Sequence, residues 1–62
     1  MGAVELVKVT EAAEMLAISR AAVYVLMDRG ELRYVKLGRS RRIEVEAIQE
    51  LVRKSRRGGQ AA

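Results

Sequence analysis

The sequence predicts a mainly α domain with one small β-hairpin, and three observations support that fold class. Apolar residues recur at spacings of three and four across residues 11–29 and again from Val45 to Val52, the period of helices with one buried face. Between them, residues 34–44 alternate around Gly38, as two short strands joined by a turn do. The chain has 62 residues, enough for one domain. A chain this short buries only about 60% of its extended surface, which excludes a deep cleft walled by a large core.

Val4 to Val9 is β-branched and apolar enough for a short extended segment. Thr10 is placed to cap a first helix over Glu11 to Ala17, where Glu11 and Glu14 suit the positive helix end and Ala12, Ala13 and Leu16 form the inner face. Ser19 can cap a second helix from Arg20 to about Arg29, with Gly30 as its left-handed stop. At 100° per residue, Val23, Leu26 and Met27 share the core face of that helix. Ala21, Val25 and Asp28 lie opposite, flanked by Arg20 and Tyr24 on one side and by Ala22 and Arg29 on the other.

Gly38-Arg39-Ser40 reads as the hairpin turn, so Val35, Leu37 and Ile43 are expected to face inward and Lys36 and Arg42 outward. Val45, Ile48, Leu51 and Val52 then form the stripe of a third helix, on which Glu50 and Lys54 make an i,i+4 pair. The expected division is a folded domain over 1–54 and a basic, disordered tail over 55–62.

Composition narrows the chemistry. The only aromatics are Tyr24 and Tyr34, and there is no Cys or His, which excludes disulfides, zinc fingers and thiol or imidazole catalysis. The eight carboxylates show no paired arrangement and no nucleophile has a base, so no enzyme, metal site, cofactor or small-molecule substrate is expected. No apolar run approaches the roughly 18 to 20 residues that span a bilayer, and the start lacks the design of a secretion signal. The expectation is a cytoplasmic protein without a membrane partner.

Twelve bases against eight acids leave a net charge of +4, which points to an anionic partner. The charge is uneven. Residues 1–30 hold three bases and four acids, a net of −1, whereas residues 31–62 hold nine bases and four acids, a net of +5.

Two short helices joined across Ala17-Ile18-Ser19, then a hairpin with an Arg-rich tip, follow the order of a winged helix-turn-helix. Binding duplex DNA needs those parts: a helix held at an angle so that its N-terminal half enters the major groove, and a basic loop that reaches the neighbouring backbone. Across Val7 to Val52 the chain resembles the excisionase-type, MerR-like winged-helix DNA-binding family, in VTEAAEMLAISRAAVYVLMDRGEL for the helices and YVKLGRSRRIEVEAIQEL for the wing and third helix. EAAEML, the IS-R turn, VY, RGEL and GRSRRI are each weak signals. In order and at close spacing they are specific.

The resemblance implies sequence-directed binding with Ser19, Arg20, Ala21 and Tyr24 presented by the recognition helix and Arg39, Arg41 and Arg42 by the wing, and Ala22 and Val25 on that helix and Lys36 and Ser40 on the hairpin join them as candidates by position. Three positions depart from the family pattern: Arg41 stands where an aromatic is common, Glu44 where Pro is common, and Val25 where a basic or polar residue is common. Ala21, Ala22 and Val25 offer bases only methyl contacts, so hydrogen-bonded readout is thin and DNA shape and adjacent monomers are expected to add specificity.

Each residue also has a purely structural role open to it. Ser19 can be only a cap, Tyr24 only a core edge, and Ala21 and Ala22 only helix formers. Arg53, Lys54, Arg56 and Arg57 can solubilise the chain, track phosphate or dock on a partner. Arg39, Arg41 and Arg42, with no acid before Glu44, repel one another unless an anion lies close.

The resemblance implies an excisionase, or recombination directionality factor, of a bacteriophage or mobile element. Such a protein binds and bends attachment-site DNA cooperatively, self-associates there and steers an integrase toward excision, in the nucleoid of a bacterial host. Shortness favours this over a MerR-like transcriptional regulator, which normally continues into a dimerisation helix. A minimal regulator and a basic protein-interaction module are the other readings.

Overall fold

A computed structural model describes residues 4–57. Strand β1 (Leu6–Lys8) leads directly into helix α1 (Val9–Leu16), followed by α2 (Arg20–Asp28), the strands β2 (Val35–Leu37) and β3 (Ser40–Glu44), and α3 (Val45–Ser55). The expected hairpin is therefore part of a larger sheet. β1 pairs antiparallel with the far edge of β3, giving a three-stranded sheet in the order β1-β3-β2. With three helices around this small sheet, the fold is a winged helix-turn-helix.

Helix α1 starts two residues before the expected position, and Thr10 lies within its first turn. The cap comes from Glu11 instead: its Oε1 accepts from the Lys8 backbone N–H at 2.8 Å, which lets the strand turn straight into the helix. At the other end, the Ala17 N–H donates to the Glu14 carbonyl at 3.1 Å and the Ile18 N–H to the Ala13 carbonyl at 3.0 Å. That closure requires a left-handed residue, and Ala17 takes φ 58°. A Cβ in this conformation costs on the order of 1 kcal/mol, accepted here because the turn sets α2 against α1.

Helix α2 begins as the sequence predicts. Ser19 Oγ accepts from the Ala22 N–H at 3.1 Å, and Gly30, at φ +76°, lets the Glu31 N–H close on the Leu26 carbonyl at 2.9 Å. Val23 and Met27 enter the core with Val9, Ala12, Ala13, Leu32, Ile43, Ala47 and Ile48, while Leu26 packs at its edge. The alanines at 12, 13 and 47 allow close helix approach, and Ile43 brings the sheet into the same aliphatic cluster.

The hairpin differs from expectation in register. Leu37 pairs with Ser40, Lys36 with Arg41 and Val35 with Arg42, so the turn is Gly38-Arg39 rather than Gly38-Arg39-Ser40. Gly38 supplies the positive φ, +62°, favoured at the first position of a two-residue hairpin turn. Shortening the turn by one residue moves Val35 and Leu37 to the face opposite Ile43. Leu37 is accordingly exposed near the tip, and Lys36 shares a sheet face with Arg41 rather than with Arg42.

In α3, Ala47 and Ile48 are buried, Val45 and Leu51 are half-buried, and Val52 is exposed. The Arg33 guanidinium donates to the Glu50 carboxylate, with Lys54 as a secondary electrostatic neighbour in place of the expected principal partner. Helix α3 includes Ser55, one residue beyond the expected boundary of the folded part. Residues 58–62, most of the expected tail, lie outside the described residues.

Candidate nucleic-acid interface

Helix α2 buries Val23 and Met27 and thereby presents its other side. Arg20, Ala21, Tyr24, Val25 and Asp28 are exposed, and Ala22 is half-buried. Ser19 sits at the N-terminus of this face, its hydroxyl committed to the Ala22 amide. Arg20 makes no ion pair among the described residues. A cation in the first turn gains nothing from the helix dipole, so its position is electrostatically poor unless an external anion approaches.

The wing reaches the Tyr24 flank of this helix. A cleft of about 350 Å³ opens between the start of α1, α2 and the hairpin, lined by Lys8, Val9, Thr10, Tyr24, Arg39, Ser40, Arg41 and Arg42. Four cationic side chains thus border one concavity. Lys8 is the member that sequence reasoning missed, because only the pairing of β1 with β3 makes it the cross-strand partner of Arg42. Nothing local in the sequence signals a contact between those positions.

Arg39 and Ser40 are exposed at the tip, whereas Arg42 is half-buried and donates from Nη1 to the Arg41 carbonyl at 3.0 Å. Arg41 turns toward the helix. Its guanidinium carbon lies 5.3 Å from the centroid of Tyr24 and 4.7 Å from that of Tyr34, both within cation–π range. Its Nη1 is 3.8 Å from Asp28 Oδ1, so the acid on the exposed face of α2 has a cationic neighbour.

Other expected contributors lie elsewhere. Lys36 is exposed on β2, and Arg53 and Lys54 occupy the last turn of α3, where cations favour the negative helix end. Arg56 and Arg57 follow that helix and do not line the cleft between α2 and the wing. Arg33 belongs to the Glu50 pair. The hydrogen bond and charge of Arg33 hold the Glu50 carboxyl below its ordinary value, and the same pair raises the Arg33 guanidinium. Arg29 pairs with Glu31 at 3.2 Å on the surface.

Comparison with known proteins agrees with this architecture. Residues 6–56 match the family described as the helix-turn-helix domain. The chain is 35% identical over 51 residues to "Putative DNA-binding protein MT0521" of Mycobacterium tuberculosis (strain CDC 1551 / Oshkosh) and to "Putative DNA-binding protein Rv0500A" of Mycobacterium tuberculosis (strain ATCC 25618 / H37Rv). The aligned region is 82% of this chain and 65% of each relative. No solved structure gives a significant match. The family match spans both strand-flanked helices and the wing through the end of α3, and the chain belongs to the helix-turn-helix domain family.

Proposed function

We propose that the protein binds duplex DNA, with α2 in the major groove and the wing on the adjacent backbone and minor groove. The observation that carries this reading is the shared cleft: Tyr24, on the exposed flank of α2, and the bases Lys8, Arg39 and Arg42 line one concavity. Family membership and the DNA-binding names of the two relatives support it.

In this reading Arg20, Ser19 and Tyr24 supply polar contacts, while Ala21, Ala22 and Val25 meet thymine methyls. Arg39, Ser40, Arg42, Lys36 and Lys8 hold phosphate, and Arg53, Lys54, Arg56 and Arg57 remain for backbone or partner contacts. The neutral recognition face favours shape readout and cooperative occupation of adjacent sites. With the family resemblance, this supports an architectural role of the excisionase type, bending attachment-site DNA and directing an integrase toward excision.

Titrating the protein against mixed-sequence duplex at several salt concentrations tests the binding mode. Neutralising four or five phosphates predicts a slope of log affinity on log salt of about −4. A flat response defeats DNA binding. If DNA binding holds, an unchanged excision-to-integration ratio in recombination with a cognate integrase defeats the directional role alone.

A further inference from the structure

Arg41 occupies the sheet face that carries Ile43 and is only 29% exposed. Its neighbours come from two other segments: Tyr24 and Asp28 stand one turn apart on α2 and Tyr34 precedes β2, while Arg41 itself is on β3. Its Nη1 is buried and makes no hydrogen bond among the described residues. Lys36, a second cation, is its cross-strand partner, an arrangement that is unfavourable without compensation. The ring faces and Asp28 provide that compensation.

We propose that Arg41 is a positioning residue, which fixes the wing against the recognition helix by stacking between Tyr24 and Tyr34 rather than by contacting DNA. A guanidinium is flat and weakly hydrated, so it can lie on aromatic faces at low desolvation cost, whereas a lysine ammonium is a compact, strongly hydrated charge. The inference rests on the DNA-binding proposal and assigns a different task to adjacent bases: Arg39 and Arg42 supply charge to phosphate, and Arg41 sets the angle at which they and α2 meet one duplex.

Two substitutions separate positioning from phosphate contact. Arg41→Lys keeps the charge and loses the flat surface; Arg41→Phe does the reverse. Positioning predicts that Arg41→Lys binds mixed-sequence duplex about tenfold more weakly with an unchanged salt slope, and that Arg41→Phe retains more of the affinity. Phosphate contact predicts the opposite order and, for Arg41→Phe, a slope shallower by about one, which would overturn the proposal. Circular dichroism melts identify any variant that fails to fold.

A double-mutant cycle of Arg41→Lys with Tyr24→Leu, the ring that belongs to α2, read by thermal unfolding, gives a result independent of DNA. Coupled losses support the stack, and additive losses overturn it. If wild-type protein binds no duplex, the DNA proposal fails while this cycle still decides whether Arg41 ties the wing down.

Discussion

Helix α2 and the wing face the same cleft but are held in opposite ways. Helix α2 is anchored from beneath by Val23 and Met27 and closed at its ends by Ser19 and Gly30, so its stability comes from burial and capping. Its outward face carries a single base, Arg20, and an acid, Asp28. The wing has three-residue β2 and five-residue β3, and of these residues only Ile43 is fully buried. It carries much of the local positive charge. Rigidity and charge are therefore divided between two elements, and a charge-rich hairpin can serve as a docking arm only if something ties it to the rigid part. Ile43 does this through the core, and Arg41 does it at the surface through Tyr24 and Tyr34.

The largest expected effect comes from breaking the buried tie. Ile43→Ala removes a fully buried side chain from the one cluster that holds sheet and helices together, and should cost about 2–5 kcal/mol in urea unfolding. In a domain of this size that is much of the total stability, so helix and wing should lose structure together. Loss of the wing amides alone in hydrogen exchange would show that the two regions fold separately.

A smaller change should affect one side only. Ser19→Ala removes the acceptor for the Ala22 amide and should lower stability by about 1 kcal/mol. Hydrogen exchange should quicken in the first turn of α2 while the β1–β3 and β2–β3 ladders keep their protection. Equal loss in the ladders would mean that the wing depends on the helix cap and that the two regions are not held independently.

The smallest effect concerns the segment between the two regions. Arg33 leads from α2 toward β2 and pairs with Glu50 on α3. Because the folded Glu50 carboxyl is held below its ordinary value, the contribution of its ionised form is present above the ordinary glutamate range and fades as pH falls through the lowered value. The melting-temperature difference between wild type and Glu50→Gln should therefore be greatest near neutrality and shrink in acid. Both groups are exposed and screened, so the difference should be modest, and a difference independent of pH would show that the pair acts other than by charge.

Much of this molecule follows from short-range rules. The Ser19 cap, the Gly30 stop, the inward Val23 and Met27, and the outward Ala21 and Val25 were all readable from spacing, because a helix fixes the direction of each side chain by its own period. The identity of the outward residues also made the thin hydrogen-bonding face visible in advance. The wing was less legible. Its strands are short, and a turn of two residues rather than three reverses which side chains face the helices. On β2, Leu37 lies outward and Lys36 on the face of Ile43 for that reason alone, whereas Arg41 shares the Ile43 face in either register.

Long-range pairing decided the remainder. Lys8 resembles an ordinary charge before a helix until β1 lies beside β3 and sets it opposite Arg42. Arg41 looks like one of three equivalent wing bases until the fold places two tyrosines and an aspartate around it. By itself the sequence determined the helices, their caps, the core stripe and the excess of positive charge in the second half. Only the tertiary structure decided which cations border the cleft and which one holds the parts together, because those roles depend on strand register and on contacts between residues far apart in the chain.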